Sequence, residues 1–270
     1  MKSTIIAIPC VFVAIITSSF LLLATQGKKA VYMVQRSGHK HVKPVPSLKK
    51  ETNYIVKRLK QPMKIDGNWN KREWRRTKPI NISNFMGQIP SFRPIVQAKM
   101  LYDDKNLYVI FRVHDRYVHS VVEDYNGPVS GDACVEFFFS PDTAFRQQYF
   151  NLEINAGGTP LMAYHIFSRK DNPKFSAEEL NQIEIAHSLP RKIDPEIVQP
   201  VTWTLEYRLP IAILEKYCSV VRPEPSTVWR ANFYKTSSKS SNPHWITWSK
   251  VEGLTPNFHL PQFFGIIQFQ

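Results

Sequence analysis

Cysteine is nearly absent from this 270-residue chain: Cys10, Cys134 and Cys218 are all there is. No C-x-x-C pair and no zinc-finger spacing occur, so a redox motif or a structural zinc module is excluded. Cys10 lies in an apolar leader, which leaves two thiols. Cys134 and Cys218 could pair in an oxidising compartment, or Cys134 stays a buried free thiol in an apolar strand. Catalytic signatures are missing too. There is no G-x-S-x-G, no H-E-x-x-H, no P-loop and no dinucleotide-binding glycine pattern. Gly157-Gly158 follows a strand, but no helix follows to complete a phosphate cradle. No internal repeat and no low-complexity tract occur, and long helical patterns are almost absent.

Acidic residues are scarce at one end. Residues 1–60 hold 11 Lys and Arg against the single acid Glu51, a balance of +10; the remainder holds 24 against 21, a balance of +3. The overall +13 is therefore a property of the tail. A basic face that tracks a phosphate backbone is not indicated for the rest, and no nucleic-acid partner is expected.

Ile5 to Ala24 is a near-continuous apolar run after Lys2. It reads as a secretory leader, or as an uncleaved membrane anchor, since roughly 20 apolar residues span a bilayer. Residues 1–27 are thus read as signal peptide or anchor, with export from the cytoplasm expected. Membrane contact is expected only through this segment. Residues 28–50 are basic and proline-containing and read as a linker.

From residue 51 the pattern becomes strand-like. Val96–Tyr102 and Leu107–Val113 flank the polar turn Asp103-Asp104-Lys105-Asn106, which predicts a hairpin. Residues 132–155 hold two more alternating runs. Val135, Phe137 and Phe139 share one face of the first, and Cys134, Glu136 and Phe138 the other. Phe150, Leu152 and Ile154 oppose Tyr149, Asn151, Glu153 and Asn155 in the second. One face is apolar; the other carries amides and carboxylates. Further strands are expected around 54–56, 161–167, 183–186, 203–209, 229–234, 244–248 and 264–269, with short helical turns near Asn68–Trp74 and after Pro210. About ten strands with short turns predict an all-β, antiparallel, jelly-roll-like β-sandwich over residues 51–270.

Two glutamates on one polar sheet face raise glycoside hydrolysis as a reading, since glycosidases use paired acids. Any activity would then be on O-glycosyl compounds, but no catalytic context accompanies Glu136 and Glu153. Met86, Met100 and Met162 with a histidine raise haem ligation, without a covalent attachment motif. Phe258 and His259 sit in a loop, where an aromatic ring beside polar groups suits the apolar face of a sugar.

Several stretches, in order, are similar to family 9 carbohydrate-binding modules: IDGNWNKREW (65–74), AKMLYDDKNLYVIFRVHD (98–115), GDACVEFFF (131–139), YFNLEINAGG (149–158), WTLEYRLP (203–210), WRANFYK (229–235), HWITWS (244–249) and FHLPQFFGIIQF (258–269). The resemblance covers residues 54–270. It implies a β-sandwich related to DOMON-type sugar- and haem-binding domains, and a non-catalytic module that grips poly- or oligosaccharide ends during glycan breakdown. By position, Glu136 matches a sugar-binding glutamate. Asn151 stands where the family has a binding arginine, Glu153 where it has an asparagine, and Phe258 where it has one clamp tryptophan. The other clamp tryptophan falls near Val129, with Tyr125 the nearest ring. The resemblance also implies structural calcium ions, for which no full oxygen set is matched. Beside the module reading stand a sugar-active enzyme, a haem-binding redox domain and an envelope scaffold that has lost its ligand.

Overall fold

The computed structural model describes residues 52–144, 147–166 and 171–270. The predicted leader and basic linker lie outside these residues, as does Phe167 at the end of one expected strand. The chain order is β1 (Asn53–Arg58), α1 (Arg72–Arg75), β2 (Ile80–Ile82), β3 (Asn84–Met86), β4 (Ile95–Tyr102), β5 (Asn106–Asp115), β6 (Val118–Ser120), β7 (Cys134–Ser140), β8 (Gln148–Asn155) and β9 (Pro160–Ile166). It continues with α2 (Ala177–Leu180), β10 (Glu184–His187), β11 (Ile193–Ile197), β12 (Val201–Pro210), α3 (Ile211–Leu214), β13 (Val228–Ser237), β14 (His244–Thr247) and β15 (Gly265–Phe269).

Thirteen strands form one curled sheet whose main path is β10-β12-β5-β4-β1-β15-β13-β7-β8-β9. The fold is the expected all-β sandwich, with more strands than the pattern showed. β1 is where the sheet turns over. Its first half, Asn53–Val56, pairs with β15, and Lys57–Arg58 pair with β4, both in parallel. These parallel pairings depart from a purely antiparallel arrangement. The other pairings are antiparallel, including β4–β5 and β7–β8, the two hairpins read from alternation.

Alternation explains which face is dry. Val135, Phe137, Phe139, Phe150, Leu152 and Ile154 all belong to the main core, together with Phe111 and Val113 of β5 and Trp203 and Leu205 of β12. Phe111 meets Phe233 of β13 with ring centroids 6.1 Å apart, and Phe233 stacks on Phe137 at 4.7 Å. Each such fully buried ring contributes about 1.5–3 kcal/mol relative to exposure.

A second knot fixes the start of the domain. Glu206, fully buried on β12, receives the amides of Asp66 (3.0 Å) and Gly67 (2.8 Å), the indole N–H of Trp74 (2.7 Å) and the ammonium of Lys71 (2.9 Å). Gly67 has φ +72°, a left-handed conformation that glycine adopts without strain, and this turn aims its amide at the carboxylate. The IDGNWNKREW segment is thus bound to the EYRLP segment by one side chain.

Candidate functional site

The polar face of β7 and β8 is assembled by cross-strand register. Tyr234, Glu136, Glu153 and Leu161 are Cα partners across β13, β7, β8 and β9; Asn232, Phe138, Asn151 and Ala163 form the next row. On the other side, Trp245, Thr236, Cys134 and Asn155 form a third row across β14, β13, β7 and β8. Partners point to the same face, so alternation along each strand turns into a patch across four. Part of that patch is roofed. Met86, Phe138, Tyr149, Tyr234, Val251, Phe258 and Phe264 form a separate apolar cluster, with Trp245, Leu260 and Phe263 packed on it.

A cavity of about 170 Å³ remains between sheet and roof. Glu136, Phe138, Glu153 and Thr236 line it from the sheet, Ser130 and Trp245 from beside it, and Pro256, Asn257, Phe258 and His259 from the covering segment. Glu136 and Glu153 stand side by side, both buried. Asn151 donates its Nδ2–H to Glu153 Oε1 at 2.8 Å. The Asn151 carbonyl oxygen in turn accepts from the Ala163 amide at 3.1 Å and lies 3.0 Å from His165 Nε2. Glu136 Oε1 is buried without a hydrogen-bond partner. An orphaned buried acceptor carries a desolvation penalty until a donor reaches it.

The electrostatics follow from dry, like-charged neighbours. Burial, and then the Glu153 carboxylate, push Glu136 well above the usual carboxylate range. Burial raises Glu153 to about 7, opposed by the Asn151 hydrogen bond and by Lys174. Burial, then the two glutamates, likewise raise the Cys134 thiol. Two nearby histidines shift the other way: burial and then His259 lower His165, behind the wall, to about 4, and burial lowers His259, on the wall.

Of the residues singled out in the sequence, Glu136, Glu153, Phe258 and His259 line the same cavity. Phe258 is not an open platform. It is 7% exposed and lies flat on Tyr234, centroids 4.1 Å apart at 14°. Asn151 stands behind the wall and holds Glu153 in place. Tyr125, the nearest ring to the second clamp position, lies outside the lining of this cavity, and its hydroxyl donates to Asn181 Oδ1 at 2.7 Å. A further ring at the cavity, not singled out by the sequence pattern, is Trp245. It is only partly buried, lines the cavity and is in register with Thr236. Its alternation with Ile246 in β14 was visible; its neighbour on the polar face was not.

The remaining readings resolve by packing. Met100 and Met162 lie in the main core and Met86 in the roof cluster, so they do not gather around one site. Cys134 and Cys218 are both free thiols, the first buried and the second partly so. A larger concavity of about 990 Å³ lies along Lys57–Lys64 and Lys71–Thr77. Among the described residues, its lining holds no buried polar atom without a partner, which sets it apart from the smaller cavity.

Fold and cavity together define a β-sandwich whose sheet face is recessed into a small pocket of carboxylates and rings. The chain belongs to carbohydrate-binding family 9, whose family model matches residues 62–269. A crystal structure from Bacteroides uniformis, of a protein provisionally named as carbohydrate-binding, is similar at 25% identity with a TM-score of 0.73, covering 82% of this chain and all of that one. A family 9 module from Caldicellulosiruptor kristjanssonii, solved in complex with cellotriose, is 16% identical with a TM-score of 0.54 over 81% of this chain and 93% of its own. The same organism's module in complex with glucose gives 16%, 0.55, 81% and 95%. At that identity the last two speak for the fold. No curated protein matches the chain.

Proposed function

We propose that this family 9 module binds the end of a poly- or oligosaccharide in the Glu136–Glu153 pocket and does no chemistry on it. The observation that carries the reading is Glu136 Oε1, buried, unpartnered and on the cavity wall. A sugar hydroxyl is a donor of the right size for it. Trp245 offers a partly open ring for the apolar face of the same sugar. At about 170 Å³ the cavity is below the range of about 300–1,000 Å³ usual for drug-sized ligands, which favours one terminal ring over a chain lying across the site. Hydrolysis is disfavoured by the same geometry. Both glutamates rise from paired positions on neighbouring strands, so they form one wall and do not flank a bond.

Export, with residues 1–27 as cleaved leader or retained anchor, belongs to this reading and rests on the apolar run Ile5–Ala24. Among the described residues, no helix is long and apolar enough to cross a membrane. N-terminal sequencing of the mature chain after cell fractionation tests it; a soluble cytoplasmic chain that keeps Met1 would refute it. For binding, the full chain is screened against a glycan array and by thermal shift with cello-oligosaccharides and other glycans. Binding of soluble oligosaccharides with a free end is expected. Silence across the array, together with an unmoved Tm, removes the reading.

A further inference from the structure

The sugar reading uses Glu136 and leaves Cys134 without a role. Cys134 and Glu136 are two apart on β7 and face the same way, with Glu153 beside Glu136 on β8. One ligand atom from each of the three, a thiol sulfur and two carboxylate oxygens, lies within 4.8 Å of the others, and all three residues are buried. Two carboxylates side by side in a dry site need a positive charge or a shared proton between them. The nearby lysine on β13 offsets this only in part: its charge draws Glu136 down, but burial and Glu153 outweigh it. Lys235 projects to the opposite face of the sheet, where its ammonium lies 2.7 Å from His244 Nε2, donates to the Thr236 carbonyl at 2.9 Å and stands 3.3 Å from Asp115. The Lys174 ammonium, which acts on Glu153, is bonded to the Asn126 carbonyl.

An independent feature points into the same place. Glu136, 1% exposed, aims an oxygen with no partner into the cavity. We propose that Cys134, Glu136 and Glu153 form a divalent-cation site on the sheet side of the pocket, with its fourth coordination position open to the cavity. The donor set selects the ion. A thiolate with two carboxylates suits zinc or a similar borderline-soft cation, whereas calcium takes about 6–8 oxygens. Tetrahedral zinc, with bonds of about 2.0–2.3 Å, places its ligand atoms about 3.5 Å apart, so a closure of about an ångström from the present spacing suffices. Asn151 is the outer partner that orients Glu153, through its 2.8 Å hydrogen bond. Binding is an exchange: the cation enters, the Cys134 thiol and the carboxyls give up their protons to solvent, and no electrons are transferred. The ion neutralises the buried carboxylates and leaves its open position to water or to a ligand hydroxyl.

The test uses the full-length chain, freed of metal by a chelator and titrated with Co²⁺ alone, then with Zn²⁺ in competition. No sugar is present, so the outcome is separate from that of the glycan screen. The expected result is saturable binding with a near-ultraviolet thiolate-to-cobalt absorption that Zn²⁺ displaces and that Cys134→Ser abolishes. Cys218→Ser leaves the band in place. Glu136→Gln removes one ligand and one buried charge while keeping the side chain's shape, so it serves where the cysteine variant fails to fold. It weakens Co²⁺ at least about tenfold, since even outer-sphere partners are worth that much. A titration with no thiolate band, a band that survives Cys134→Ser, or an affinity unchanged in Glu136→Gln overturns the proposal.

Discussion

Glu206 on β12 and Glu136 on β7 are both buried carboxylates in apolar strands, and their surroundings differ in every other respect. The oxygens of Glu206 receive two backbone amides, an indole N–H and an ammonium. Glu136 keeps an oxygen without a partner, beside a second carboxylate and against a cavity. Burial alone therefore does not separate a structural glutamate from a functional one; the donor inventory does. A carboxylate that the protein itself solvates holds the fold. One left short of donors, at a wall with room beyond it, is poised for a donor from outside.

Breaking the satisfied knot gives the largest effect. Glu206→Ala leaves Trp74 Nε1 and two amides without their acceptor and takes one of the Lys71 ammonium's partners, Asp66 and the Lys64 carbonyl remaining, and about 3–5 kcal/mol of stability is expected to go. Denaturant unfolding measures it; a loss below about 1 kcal/mol would mean the network is not what ties residues 65–74 to β12. On the pocket side the effects fall on affinity. Trp245→Ala removes the partly open ring, and sugar affinity should drop by about 0.5–1.5 kcal/mol, up to roughly tenfold, in calorimetric titration. Unchanged affinity would leave the pocket without a stacking ring.

The pocket carboxylates also leave a mark on stability against pH. The Glu153 value is raised from 4.5 unfolded to about 7 folded, so between those values the folded state holds a proton that the unfolded chain releases. Below 4.5 both states are protonated and the group contributes nothing. As pH rises from 4.5 to 7 the wild type should therefore lose stability relative to Glu153→Gln, which carries no such group. Urea midpoints of the two proteins across that window show it, and parallel curves would refute the burial of an ionisable pair. The smallest effect is assigned to Tyr125→Phe. It removes an exposed hydrogen bond to Asn181, so stability should move by less than about 0.5 kcal/mol and sugar affinity not at all. A clear loss of affinity would bring Tyr125 back into the site.

The hairpins β4–β5 and β7–β8 were legible because their strands are long enough for alternation to show. β2, β3 and β6 are three residues each and carry no period, and the division of β1 between two partners has no local signal. Glu136 and Glu153 could be placed on one face from a single hairpin. Trp245 and Asn257 could not be added to them, because that needs the register of β14 on β13 and of β13 on β7, and the path of the covering segment. Nearness in sequence to the missing clamp position likewise does not say which loop Tyr125 packs on; its hydroxyl is bonded to Asn181. The bond from Trp74 to Glu206 spans 132 residues and shows in the sequence only as two separate motifs.

The most direct measurement is a paired one on Glu136→Gln: affinity for a cello-oligosaccharide, or for whichever glycan the array returns, beside thermal stability. With a hydrogen bond worth about 0.5–1.5 kcal/mol, affinity should fall by about two- to tenfold while Tm stays level or rises, because an ionisable group whose charged form burial disfavours has been removed. Undiminished affinity, or a stability loss as large as that of Glu206→Ala, would contradict the account by making Glu136 a second structural glutamate.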